Sequence, residues 1–453
     1  METTNRVGFS SKIGFVLAAA ASAVGLGNIW RFPYLAAEYG GGTFLIVYLI
    51  LVVTFGFAIM ITEVAIGRKT GLSSIGAFRK LNRKFAFCGW LGLLIPVIIT
   101  PYYSVIGGWV AKYMVTYLTG HGSDAASDGF FGSYIGGVGQ PIFWLLIFVV
   151  VTCIVVVAGV QKGIEKASVI LMPILIALCI VIRIYGLTQP GALDGFVYYV
   201  KPVLSKFSGK LVLAALGQLF YSMSLAMGIM ITYGSYMKKE NNLESSVRMI
   251  EVFDTLVAFL AGLMIVPSVF AFSGGNEEAM NSGPGLMFVT LPSVFESMPG
   301  GHIVGGLFFV LVFFAALTSA ISLTETIASV IMDKLHWRRS QTVLLVGIFV
   351  FVVGIPSSLG FGVWSHVAPL GMDLLTFFDF ISNSIMMPVL AFLTCIFAAY
   401  VLKPKEIIAE VEQYGVTFKA KKFYSVMIRF VAPVGIVAIL ISSVMAGLGV
   451  FSW

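Results

Sequence analysis

The sequence predicts an all-α membrane protein, a bundle of about eleven transmembrane helices built as two inverted five-helix repeats, with helices one and six unwound at their middles. Three observations predict it. Of 453 residues, 58% are hydrophobic and only 11% charged, far too apolar for a soluble chain of this length. Charge-free stretches able to cross roughly 30 Å of hydrocarbon recur, among them 40–62, 85–111, 211–237 and 303–324. Finally, two of the resulting helices, five spans apart, carry interruptions that a helix crossing plain lipid does not need.

These stretches and the polar loops between them place helices at 12–38, 42–67, 88–119, 140–160, 164–185, 209–238, 246–273, 303–336, 340–357, 373–402 and 423–450. Residues 12–185 then form the first repeat and 209–402 the second. The helix at 423–450 is expected to be peripheral, and 1–453 to be a single transmembrane domain. Helix one holds Ala21-Ser22-Ala23-Val24-Gly25-Leu26-Gly27-Asn28 and, just beyond, Arg31. A helix-interior glycine costs about 1 kcal/mol relative to alanine, and freed backbone groups at membrane depth need protein or a watery cavity to satisfy them. Helix six is disturbed between Gly217 and Gly228, around Ser222 and Ser224. Small residues for close helix packing are the competing explanation for that second run.

Orientation follows from the cations. Arg68, Lys69, Arg79, Lys80, Arg83 and Lys84 lie between helices two and three, Lys238, Lys239 and Arg248 between six and seven, and Lys403, Lys405, Lys419, Lys421 and Lys422 between ten and eleven. The alternate loops carry Asp124, Asp128, Glu277, Glu278 and Glu296. The positive-inside rule puts the N-terminus in the cytoplasm and, with an odd helix count, the C-terminus outside. The net charge of +7 is thereby explained by topology, with no nucleic-acid partner required. No cleavable signal peptide is expected, because the polar N-terminal stretch leads straight into a full span. Cys88, Cys153, Cys179 and Cys395 stand singly, and His121, His302, His336 and His366 show no ligand spacing, which argues against a disulfide framework, a zinc site or an enzyme built on histidine.

The run from Gly25 to Tyr34, reading GLGNIWRFPY, resembles the signature of the neurotransmitter:sodium symporter family, and the likeness extends over essentially the whole chain. It continues through Glu38 to Gly42, Pro101 to Ser104, Gln218, the helix-six serines, Ala315 to Ser319, and Asp379. The eleven-helix form is similar to the family's bacterial amino acid branch, which implies a cell-membrane carrier of the bacterial inner membrane.

This resemblance implies two sodium ions as the only cofactors. The first would be held by the Ala23 carbonyl, Asn28, Ser222, Asp254 and the substrate carboxylate, and the second by carbonyls of Ala21, Val24 and Ala315 with the hydroxyls of Thr318 and Ser319. Ala315, Thr318 and Ser319 share one helix face by their spacing, although Ser and Thr in a span more often bond back to their own helix. The substrate carboxylate is expected at the helix N-terminus near Leu26 and Gly27, where unpaired N–H groups favour an anion, with Tyr103 as a further donor. The ammonium would meet opened carbonyls near Ser22, Ala23 and Ser224.

The resemblance lines the side-chain pocket with Ile99, Tyr221, Met227, Ser319, Ala320 and Leu323, and it brings Ser222 to its edge. This set lacks charge, and Gly25 stands where amine carriers of the family place a carboxylate, so a neutral, hydrophobic L-amino acid fits best. Ser22, Tyr221 and Ala226 depart from the commonest bacterial pattern. The resemblance also implies an outer gate pair, Arg31 with Asp379, over a lid of Tyr103 and Tyr221, and an inner pair, Arg6 with Asp333, near Tyr236 and Phe9. Gly163 and Pro173 match an element linked to local unwinding of helix five. By the same resemblance, Ala258 stands where a serine helps hold chloride in other members and Asp254 would supply the compensating charge, so chloride is expected not to be required. Sodium-coupled uptake is the expected activity; a transport-incompetent sensor or an ion channel are the alternatives.

Overall fold

The computed structural model describes residues 8–274 and 284–447, and the regular elements among them are all helices. Nine are each long and apolar enough to cross a membrane: Gly42–Thr70, Arg83–Leu118, Gly139–Val157, Val160–Leu187, Leu243–Phe272, Gly301–Leu335, Arg339–Leu359, Leu374–Val401 and Lys421–Ala446. A further span is the pair Lys12–Ala23 and Gly27–Glu38, bent by 58°. Helices Gly209–Ser222 and Ile229–Ser235, separated by non-helical residues 223–228, occupy the remaining apolar stretch. Numbered in chain order, the two broken elements are spans one and six.

Several spans start where a side chain satisfies an orphan backbone donor. Ser11 accepts from the Gly14 N–H at 2.9 Å, Ser208 from Leu211 at 3.2 Å, Asn242 from Ser245 at 2.9 Å and Asp373 from Thr376 at 2.9 Å. Each such cap stabilises its helix by about 1 kcal/mol. Span five begins at Val160, four residues before the expected start, because a wide π-type turn at Val160–Glu165 continues into the α-helix.

Packing divides the spans into two groups. Spans one, two, six and seven contact one another, while three, four, eight and nine form a second set; span five touches spans one, seven and eight, and span eleven leans on span ten. The two breaks face the seam between these groups. In span six, Ser224, Ala226 and Gly228 take φ of +53°, +56° and +73°. This left-handed backbone costs an L-residue about 1–2 kcal/mol, so Ser224 and Ala226 store strain that neighbours must hold. The buried carboxylate of Glu63 in span two provides one restraint, accepting from the Ala226 N–H at 3.0 Å. At Gly228 a Cβ would come within 2.5 Å of the Gly92 carbonyl of span three, so the close approach requires glycine.

Candidate functional site

Helix one ends at Ala23, and Val24 turns extended at φ −72° and ψ 98°. The carbonyls released there need donors. Ser224 donates to the Ser22 carbonyl at 2.9 Å, and Ser319 of span eight reaches the same oxygen at 3.0 Å and the Val24 carbonyl at 3.5 Å. The Ser22 and Ser224 hydroxyls also meet, at 3.2 Å. Three spans therefore share one opened turn, in keeping with the rule that irregular backbone at membrane depth must be satisfied by neighbours.

Beside this turn lies a small cavity lined from four spans. Ser22, Ala23, Gly25, Leu26, Gly27 and Asn28 form one wall. Ile99 and Tyr103 come from span three, Tyr221, Ser224, Met227 and Ile229 from the broken span six, and Ser319 and Leu323 from span eight. Among the described residues, no charged side chain lines it. The Tyr103 hydroxyl is buried and faces the Leu26 N–H and Ser319 without a closed hydrogen bond to either. Tyr221 lies against Gly27, leaving no room there for a Cβ, and Gln218 donates to the Gly27 carbonyl at 3.0 Å. Ser222 turns away from the cavity, and Ile229 takes a lining place that the sequence did not suggest.

On the far side of the opened turn, a polar knot surrounds Asp254 of span seven, which is fully buried. Its carboxylate accepts from Asn28 Nδ2 at 2.8 Å, from Ser222 at 2.9 and 3.1 Å, and from Tyr48 at 3.4 Å. The Asn28 amide oxygen accepts from the Gly25 N–H at 3.1 Å. Asn28, Ser222 and Asp254 thus come together from spans one, six and seven, with Ala23 in the adjoining turn. Tyr48 completes the group from span two, and nothing in its local sequence marked it.

The hydroxyls of span eight divide. Ser319 joins the break, but Thr318 donates to Phe314 and Ala315 carbonyls of its own helix at 3.0 and 3.1 Å, the ordinary habit of a span threonine. Ala21, Val24 and Ala315 are all buried around this junction.

The expected outer gate pair is not formed directly. Arg31 and Asp379 make no direct ion pair among the described residues. Asp379 accepts from Tyr102 at 3.1 Å and Asn383 at 2.6 Å, while the Arg31 guanidinium lies over the Tyr221 ring at 5.5 Å, close enough to Asp379 for a through-space attraction. Both neutral donors reach the same carboxylate oxygen, Oδ1, while the arginine rests on the aromatic face of Tyr221. Arg6 lies outside the described residues; Asp333 accepts from the Ser73 N–H at 2.9 Å and hydroxyl at 2.5 Å.

Phe9 is fully buried, edge-on to Phe15, Tyr233 and Tyr236, and its N–H donates to the Tyr236 carbonyl at 3.0 Å. Span five is wound through both Gly163 and Pro173, so the unwinding linked to this element is not seen here. Its Glu165 instead grips the N-terminal segment, accepting from the Ser10 N–H at 2.8 Å and hydroxyl at 2.5 Å, while Gln161 donates to the Gly8 carbonyl at 2.8 Å. Glu325, bonded to Tyr236 at 2.7 Å and paired with Arg339, closes the same end. Glu63, Glu165 and Glu325 escaped the sequence reading, although the cost of a carboxylate within a span was a usable signal.

A membrane bundle broken at two helices around a shared, uncharged cavity is the architecture of a secondary transporter. The chain belongs to the Sodium:neurotransmitter symporter family, whose model matches residues 6–124 and 130–449. It is 36% identical over 450 residues to the sodium-dependent transporter YhdH of Bacillus subtilis, covering 98% of both chains. The mouse sodium- and chloride-dependent GABA transporter 2 is 26% identical over 407 residues, 78% of this chain and 67% of that one. Among solved structures, MhsT in complex with L-phenylalanine matches with a TM-score of 0.88 and 38% identity, over 97% of this chain and 100% of that chain. The protein is a multi-pass, sodium-dependent transporter and not an enzyme.

Proposed function

We propose that the protein is a symporter of neutral, hydrophobic L-amino acids, carried inward with sodium by alternating access. The observation that carries this reading is the unpartnered Tyr103 hydroxyl in a cavity with no charged lining residue. A buried donor without a partner costs about 1–3 kcal/mol. A substrate carboxylate beside Tyr103 and the helix start at Leu26 and Gly27 would recover it, while the ammonium meets carbonyls of the opened turn. Apolar Ile99, Met227, Ile229 and Leu323 then receive the side chain. The phenylalanine held by MhsT supports the same substrate class.

Two sodium sites belong to this proposal. Asp254, Asn28, Ser222 and the Ala23 carbonyl serve the first, and the Ala21, Val24 and Ala315 carbonyls with Thr318 and Ser319 serve the second; Thr318 must exchange one backbone bond for the ion. Chloride is unnecessary because Asp254 carries the compensating charge and buried Ala258 offers no ligand. Alternating access opens the outer side around Arg31 and Asp379 and the inner side by release of the N-terminal segment and span five near Gly163 and Pro173. The N-terminus faces the cytoplasm of a bacterial inner membrane, and the C-terminus lies outside.

Uptake of a radiolabelled panel of amino acids into proteoliposomes tests the proposal. Sodium-driven accumulation of leucine, phenylalanine or a similar substrate is expected; sodium-dependent binding without accumulation would favour the sensor reading.

A further inference from the structure

At the end of the molecule that carries Ser73 and Asp333, helix eight packs against the start of span three and the short helix Ser74–Leu81. Arg83 and Lys84 are exposed there, as are Lys334 and Arg338 at the turn between spans eight and nine. None of these four forms an ion pair among the described residues. The nearby acids are already engaged, Asp333 with Ser73 and Glu325 with Arg339. Lys334 holds its ammonium 4.0 Å over the Trp90 ring. Trp90 itself is 49% exposed, Trp337 is 46% exposed, and Phe87 and Leu94 continue the same outward stripe along span three.

A stripe spaced at residues 83, 87, 90 and 94 lies on one helix face, with its cation at the water-facing end and apolar groups running inward. This is the profile of a boundary between headgroup and hydrocarbon, where tryptophan is enriched and basic side chains attract anionic lipid.

We propose that the exposed cations Arg83, Lys84, Lys334 and Arg338 at this end, with Lys334 seated on Trp90, form a binding site for the phosphate headgroup of an anionic phospholipid. The lysines and arginines neutralise the phosphate, and the acyl chains lie along Phe87 and Leu94. A phospholipid, and not free phosphate, is the occupant because the charged cluster continues directly into an exposed apolar stripe. The site lies on the face assigned above to the cytoplasm, but its chemistry does not depend on the substrate.

The test is native mass spectrometry of the detergent-purified full chain titrated with dioleoyl phosphatidylglycerol, dioleoyl phosphatidylcholine or inorganic phosphate. Phosphatidylglycerol is expected to bind at least about tenfold more tightly than phosphatidylcholine. Replacing Arg83, Lys84, Lys334 and Arg338 together by Gln should abolish that preference, whereas replacing Lys403, Lys405, Lys419 and Lys422 by Gln should preserve it. Should the fourfold variant not fold, Lys334→Arg should retain the preference and Trp90→Ala should reduce it. Equal binding of the two lipids, an unchanged preference in these variants, equal loss in the control set, or displacement of phosphatidylglycerol by inorganic phosphate would each overturn the proposal.

Discussion

Asp254 is the residue on which ion binding should depend most. Its carboxylate gathers Asn28, Ser222 and Tyr48 in a fully buried knot, where a net charge is expensive unless a cation is paired with it. Asp254→Asn keeps the shape and removes the charge. It should weaken sodium-supported substrate binding at least about tenfold, equivalent to about 1.4 kcal/mol, as read from sodium titrations in a scintillation-proximity assay. An unchanged sodium midpoint would remove Asp254 from the first ion site. Gly25 is the complementary case, since a Cβ there would stand 2.6 Å from the Ser319 hydroxyl oxygen and 3.2 Å from that of Tyr103. Gly25→Ala should lower affinity through crowding alone. Gly25→Asp should lower it by about a further thousandfold, because like charges about 4 Å apart cost about 4 kcal/mol at an effective dielectric near 20. Equal affinities for the two variants would argue against a substrate carboxylate at this position.

The broken helices carry predictions at the next scale. Ala226 sits at φ +56° within the span-six break, where glycine would be unstrained. Ala226→Gly should raise the thermal midpoint of the purified protein, with a stabilisation of up to about 1–2 kcal/mol less the entropy cost of glycine. A fall in the midpoint would show that the alanine methyl packs to greater effect than its backbone strain. On span five, Glu165 and Gln161 are one turn apart and hold successive groups of the N-terminal segment. Glu165→Ala removes two of these bonds, so hydrogen–deuterium exchange of residues 8–17 should become faster while the cavity itself keeps its protection. Unchanged exchange in that segment would mean that the Phe9 ring cluster alone secures it.

For the whole transporter, the charge arrangement around Asp254 predicts a solution property. Sodium-driven uptake should proceed at the same rate in sodium gluconate as in sodium chloride at fixed ionic strength. A several-fold loss without chloride would show that a mobile anion is needed where Asp254 was assigned that part. The two packing groups also explain how such a carrier can change state. The cavity and the Ser319 junction lie where spans one and six meet spans three and eight, whereas the Asp254 knot lies within the first group, so relative movement of the groups would alter access without dismantling that knot.

Much of this was legible in the chain itself. Apolar runs of membrane length, loops of one charge sign and glycines spaced within a span are local features, and local features survive reading in one dimension. They determined the helical membrane class, the positions of nearly all the spans and the first break, while the family resemblance supplied the candidate residues Ser22, Asn28, Tyr103, Asp254 and Ser319. What the tertiary structure decided were the partnerships. Thr318 bonds to its own helix, Asp379 prefers Tyr102 and Asn383 to Arg31, and Tyr48 and Glu63 reach the site from span two. A hydrogen bond is made to whichever donor the fold brings within about 3 Å, and sequence spacing constrains that choice only within one helix. Between helices, the choice depends on how the spans pack.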